Sequence, residues 1–316
     1  MEVIRDISNL KFSNRTGVAL GNFDGIHLGH AVLINKLKNL SELYGYKSVL
    51  FTFDDHTLKI INPTRAPQLL TDAEKKIELL SKYGIDFVVM IKFDKDFSLM
   101  TYEEFIDKII IQTLNAGIIV VGYDYRFGRN GEGNTDKLRE IGKKCGFDVE
   151  IVSPVVVDGI KVSSSYIREL IKKGMVDVIP KYLGRYYSLK GKVVRGMNYG
   201  ARLLGYPTAN IDIDEELCIP RKGVYITRTC VYGQYYMSVT NIGYNPTFSD
   251  KSLSIETYII DYENGELYDK IIEVEFIKYI RDEIKFSSVE QLRKRINEDI
   301  VLAVDYFRGI DTVNIF

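Results

Sequence analysis

Cysteine is scarce in this chain. Cys145, Cys218 and Cys230 are the three in 316 residues, and no C-x-x-C occurs. That scatter excludes a disulfide framework and a cysteine-rich zinc site. An excess of either charge is also lacking: 42 Lys and Arg stand against 43 Asp and Glu. Such a balance argues against a protein whose main business is a nucleic-acid backbone, but a local anion site remains compatible with it. No uninterrupted apolar run reaches membrane-spanning length. The opening, MEVIRDISNLKFSN, has no signal-peptide core. These absences predict a cytoplasmic protein with neither a membrane nor a nucleic-acid partner. Repeats and low-complexity tracts are missing too. With 46% hydrophobic residues, 316 positions suffice for two domains with cores of their own.

What is present gathers in turns. Residues 17–30 read GVALGNFDGIHLGH, a short apolar run followed by Gly21, Asp24, Gly25 and Gly29. His27 and His30 stand there, two of only three histidines in the chain. A helical pattern follows over 31–43. A strand feeding a glycine-rich turn and a helix start is a natural anion site, because backbone N–H groups and the positive end of the helix dipole face the ligand. Histidines three apart also suit a metal pair or helix capping. Zinc is disfavoured, since Asp24 is the one close carboxylate and no Cys or third His lies nearby.

The first half alternates between elements. Apolar, β-branched runs at 17–20, 48–53, 87–91, 118–121 and 149–152 are separated by helical patterns at 31–43, 72–83, 102–114 and 135–145. Capping boxes are expected at Thr71/Glu74 and Thr101/Glu104. The alternation predicts βαβ crossovers and a mostly parallel sheet, with ligands beyond the carboxyl ends of its strands. A second glycine-rich turn, GYDYRFG at 122–128, mixes aromatics with Asp124 and Arg126. It reads equally as a ring-and-phosphate site or as a polar loop with its aromatics in the core. Serines at 163–165 open a further helix, as N-caps or ligands, and Arg168 stands one turn in. After Pro180 the chain turns to closely spaced strand patterns at 187–194, 208–213, 223–231, 234–241, 254–260 and 271–280. A helix over 289–307 follows, with a cap expected at Ser287. Short turns between such strands predict an antiparallel barrel or sandwich. The second half has no G-x-x-x-x-G-K-[ST] loop, so it is no P-loop kinase.

Taken together, the motifs resemble the bacterial bifunctional riboflavin kinase/FAD synthetase family over nearly the whole chain. They are GNFDGIHLGH at 21–30, LLTDAEKK at 69–76, VVGYDYRFG at 120–128 and VSSSYIR at 162–168. In the second half they are GKVVRG at 191–196, LGYPTANI at 204–211, KGVY at 222–225, NIGYNPTF at 241–248 and IET at 255–257. The family generally has Phe-Asp-Pro-His-Pro after its second strand. Here residues 53–57 read FDDHT, so both prolines are missing, and Ser165 replaces a usual threonine.

The resemblance implies an α/β fold. A Rossmann-like nucleotidylyltransferase domain would span 1–174 and a linker 175–186. A six-stranded antiparallel β-barrel riboflavin kinase domain, ending in a helix, would span 187–316. In the first domain it implies ATP on Gly21, Asn22, Phe23, Asp24, Gly25, His27, His30, Ser164 and Arg168, with His27, His30 and Arg168 catalytic. Asp124, Tyr125 and Phe127 would position the flavin. In the second it implies Thr208 and Asn210 on Mg²⁺ and ATP, Gly196 and Gly200 covering the nucleotide, and Glu256 as general base. The implied partners are riboflavin, FMN and ATP, with FMN and FAD as products or substrates. A lone synthetase with a flavin-binding regulatory barrel is the alternative.

Overall fold

The computed structural model describes residues 1–195, 206–244 and 253–311. Two compact units emerge, Met1–Tyr166 and Ile167–Phe316.

The first unit opens on β1 (Glu2–Ile4) and β2 (Thr16–Leu20), then enters α1 (Leu28–Tyr44). Next come β3 (Lys47–Phe53), the short α2 (Leu58–Ile61), α3 (Ala73–Ser81) and β4 (Phe87–Ile91). After α4 (Lys95–Leu99), α5 (Tyr102–Glu104) runs on as a π-helix over Phe105–Thr113. β5 (Ala116–Gly122) leads to a small ribbon of β6 (Arg126–Phe127) and β7 (Gly133–Asn134). Then follow α6 (Thr135–Cys145), β8 (Asp148–Val152), and a second ribbon of β9 (Val156–Val157) and β10 (Ile160–Lys161). Helix α7 (Ser164–Lys173) starts in this unit.

Six strands pair in parallel in the order β1-β4-β3-β2-β5-β8. The expected parallel sheet is therefore present. β2 is buried at all five positions, which is why it reads as an unbroken apolar run. Alternate residues serve opposite faces: Val18 and Leu20 join one core with Phe51 and Phe105, Ala19 the other with Leu37 and Leu50. The chain moves from β2 to β3 to β4 in one direction, and β5 then returns to the other side of β2. Between β2 and β5 the strand order reverses, the place where open α/β sheets bind ligands. The turn at 21–27 leaves β2 there.

Local details differ from expectation in physical ways. β1 carries no periodic signal, since its three residues are exposed or half-buried. The Thr101/Glu104 capping box forms in both directions. Thr71 does not cap α3; Asp72 does, accepting from the Lys75 N–H at 2.7 Å. The Thr71 hydroxyl is engaged elsewhere, by the Gly25 N–H.

In the second unit the stretch expected as linker holds the helix α8 (Pro180–Leu183), with Tyr182 and Leu183 buried. Six antiparallel strands then close a barrel: β11 (Tyr187–Val194), β12 (Thr208–Asp212), β13 (Gly223–Val231), β14 (Gln234–Tyr244), β15 (Leu253–Ile259) and β16 (Ile271–Arg281). Their order is β11-β12-β15-β14-β13-β16. Fully buried Thr227, Thr229, Ser238, Thr240 and Thr257 join in one chain of hydroxyl hydrogen bonds of 2.7–2.9 Å. Each buried hydroxyl thus finds a partner. Outside the barrel, α9 (Val289–Asp311) brings Ala303 against Val224, Ile226 and Ile277. Arg281 and the buried Asp299 pin it at 2.7 Å. Its N-terminal cap is Ser288, one residue later than expected, accepting the Gln291 N–H at 3.2 Å.

Candidate active sites

The turn after β2 is built from unusual backbone. Phe23 (φ 48°), Gly25 (φ 85°) and Ile26 (φ 41°) all lie in the left-handed region. For a large aromatic and a β-branched residue this is costly, and it persists only where the surroundings enforce it. A Cβ on Gly25 would also come within 2.6 Å of Leu70 Cδ1, so glycine is required twice over. The enforcement comes from residues 70–76. Asp24 is buried, and its Oδ1 accepts the Leu70 N–H at 2.9 Å and the Thr71 N–H at 3.1 Å. Gly25 N–H donates to Thr71 Oγ1 at 3.1 Å. Lys76 donates to the carbonyls of Asn22 at 3.1 Å and Phe53 at 2.8 Å. The Asp24 carboxylate therefore braces the turn from behind.

His27 caps α1: its Nδ1 accepts the His30 N–H at 3.2 Å. An Nδ1 acceptor assigns the proton of the neutral ring to Nε2, making Nε2–H a donor. The rings of His27 and His30 stack, with centroids 3.6 Å apart and planes 10° apart. Gly29 makes room for this, since a Cβ there would lie 3.0 Å from the His27 ring. The capping and the ligand readings of this pair are thus compatible. Among the described residues no cluster of three His, Cys, Asp or Glu suits a metal.

Ser163 caps α7, accepting the Tyr166 N–H at 3.3 Å, and Ser164 Oγ donates to the Asp24 carbonyl at 2.9 Å. The serine-rich helix start is thereby fastened to the turn. Arg168 follows on the same helix and is buried. At 122–128 the residues part company. Asp124 is exposed and pairs with Lys161 at 3.1 Å, while Lys161 also lies over the Tyr123 ring. Tyr125 stacks on Phe127 at 5.8 Å, and burial pushes its phenol up. Phe127 is a core residue against Phe105. The loop at 53–57 is held without prolines: Asp55 accepts the His56 N–H and pairs with Lys59, both at 2.7 Å.

On the barrel, register gathers the candidate residues. Asn210 of β12 stands directly opposite Glu256 of β15, and Glu256 stands opposite Asn241 of β14. Three neighbouring strands thus set Asn210, Glu256 and Asn241 in one row. Thr208 lies two residues along β12 from Asn210, on the same face. Burial pushes the Glu256 carboxyl above the ordinary glutamate range, and the negative charge of Glu283 pushes it further. Gly243 leaves space for Glu283, whose Oε1 would sit 1.8 Å from a Cβ there. Asn241 opens the 241–248 motif and Glu283 lies in none; the β14–β15 pairing brings the first to Glu256, and the space at Gly243 admits the second. Gly196 and Gly200 lie outside the described residues.

A strained turn at the switch point of a parallel sheet and a raised carboxyl on a closed barrel suit an enzyme with a site in each unit. Comparison with known proteins makes this specific. The FAD synthetase family model matches residues 10–166, and the riboflavin kinase model matches 183–307. The bifunctional riboflavin kinase/FMN adenylyltransferase of Buchnera aphidicola from Schizaphis graminum is 36% identical, covering 98% of this chain and 100% of its own. Those of Listeria monocytogenes (35%; 89% of each chain) and Escherichia coli K12 (31%; 97% of this chain, 98% of its own) are similar. The chain belongs to the bifunctional riboflavin kinase/FMN adenylyltransferase family. A crystal structure described as a macrolide-efflux protein from Streptococcus pneumoniae shares the fold: its TM-score is 0.85 at 29% identity, over 95% of this chain and 97% of that one. No helix among the described residues here is long and apolar enough to cross a membrane.

Proposed function

We infer that this chain carries both activities of its family, phosphorylating riboflavin to FMN and adenylylating FMN to FAD, each with ATP. The observation that carries the reading is the match to both family models, one in each half of the chain. The adenylyltransferase is assigned to 1–174 and the kinase to 187–316. A lone synthetase with a regulatory barrel is not favoured, because Thr208, Asn210 and Glu256 are all present and the last two are adjacent in register.

In adenylyl transfer an FMN phosphate oxygen attacks the α-phosphorus of ATP, and the bond to the departing pyrophosphate breaks. Little covalent work falls to the protein, so positioning and charge stabilisation supply the rate. His27 Nε2–H, His30 and the backbone N–H groups of the 21–25 turn would hold the ATP phosphates. Arg168 and Ser164 would receive the pyrophosphate. Asp124 and Tyr125 would border the flavin, with Phe127 supporting Tyr125 from the core.

In the kinase, Glu256 would take the proton of the riboflavin 5′-hydroxyl, whose oxygen then attacks the γ-phosphorus and displaces ADP. A raised carboxyl suits that task, because a base poised nearer neutrality accepts a proton more readily. The oxygen donors Thr208 and Asn210 fit a hard cation such as Mg²⁺, with phosphate oxygens completing its shell. When bound, that ion would neutralise phosphate charge. Incubating the protein with riboflavin and MgATP should give FMN first and FAD after it. Failure to form FMN would leave the lone-synthetase reading standing.

A further inference from the structure

Lys76 is 2% exposed, and its ammonium reaches two backbone carbonyls, those of Asn22 and Phe53. These close β2 and β3, the neighbouring strands beside the switch point. Burying a cation in this way is expensive. Burial pulls the Lys76 pKa down, while Asp24, Asp54 and Asp55 act to keep it charged. Asp54 contributes a buried Oδ1 with no hydrogen-bond partner. A methionine would fill the same space without that desolvation cost, so the charge calls for a reason beyond packing.

The reason lies in the peptide joining Asn22 to Phe23. A trans peptide is planar, with its C=O and N–H on opposite sides. An ammonium that draws the Asn22 carbonyl inward therefore turns the Phe23 N–H outward. Thr52 Oγ1 donates to the same carbonyl at 3.1 Å, fixing the plane from a second side. Phe23, on the other side of that peptide, sits at φ 48°. We propose that Lys76 is a positioning residue for adenylyl transfer, its buried ammonium holding the 22–23 peptide so that the Phe23 N–H faces the phosphates of ATP. The same ammonium ties the Phe53 carbonyl to this turn, so one charge sets both strand ends. The proposal rests on the adenylyltransferase reading, which FAD formation by the unaltered chain tests separately.

The test compares K76M, which keeps the volume, with K76A in the absence and presence of ethylammonium. FAD formation from FMN and MgATP and FMN formation from riboflavin are followed in the same preparations. K76M should lower kcat for FAD formation about 100-fold, as loss of a preorganised donor does, with KM for FMN unchanged. Riboflavin phosphorylation should stay within about two-fold, because the barrel has its own site. K76A should be equally slow, and ethylammonium, but not ethanol, should restore it at least about ten-fold, as expected where a positioned charge is the missing element. FAD formation by K76M within about three-fold of the unaltered chain would overturn the proposal, because donor loss costs far more than that. So would a K76A variant that ignores ethylammonium. Loss of the cooperative melt of the N-terminal unit in both variants would also overturn it, making Lys76 a stability residue.

Discussion

At the scale of single residues, His27 caps α1 through Nδ1, and a second job, holding an ATP phosphate through Nε2–H, is proposed for it. H27A and R168A should each cut FAD formation by about two orders of magnitude, the usual cost of losing a transition-state donor, while riboflavin phosphorylation persists. H27N separates the jobs: asparagine restores the cap but supplies no imidazole N–H, so it should recover stability without FAD formation. Chromatographic separation of FMN and FAD reads both products. Glu256 yields a pH prediction. In the proposed mechanism it acts as the carboxylate, and its pKa is raised by burial and by Glu283. Kinase kcat/KM should therefore fall with decreasing pH sooner than an ordinary glutamate would dictate. E283Q removes one cause, so it should shift that acid limb to lower pH. E256Q should abolish FMN formation.

At the scale of elements, the turns carry the strain and the caps carry the definition. G25A places a side chain at φ 85° against Leu70. It should cost about 1–3 kcal/mol in chemical denaturation, the range for enforced backbone strain, and slow FAD formation. T101A removes a capping box present in both directions, and about 1 kcal/mol should be lost with it. The caps shift from Thr71 to Asp72 and from Ser287 to Ser288 because adjacent Ser, Thr and Asp residues all have capping chemistry and the partner of each decides which is spare. The Ser287 hydroxyl donates to Gln291 of α9 at 2.9 Å. Thr71 is claimed by Gly25, which no local pattern announces.

At the scale of the whole molecule, two activities on one polypeptide should be separable. A mixture of H27A and E256Q should convert riboflavin and MgATP to FAD, although neither alone does so. H27A supplies FMN, and E256Q adenylylates whatever FMN is released. FAD from the mixture, measured over time, should lag behind FMN. A mixture that accumulates FMN without FAD would show that the adenylyltransferase of E256Q does not accept FMN from solution.

Much of the fold was legible in the sequence. The fully buried strands of the first unit read as apolar runs, and the barrel strands alternate, because burial on two faces or one leaves those different patterns. The glycine-rich turn, the paired histidines and the serine-rich helix start were legible as a candidate anion site because a glycine-rich turn at a helix start suits an anion. Other features belong to the tertiary structure alone. Asn241 meets Glu256 through strand register, Glu283 reaches it through the space left by Gly243, and Lys76 crosses from α3 to two strand ends. Local spacing records which face of an element is apolar. It holds no record of which distant residue completes a pair, because that is fixed only when strands find their register and a buried charge finds its acceptors.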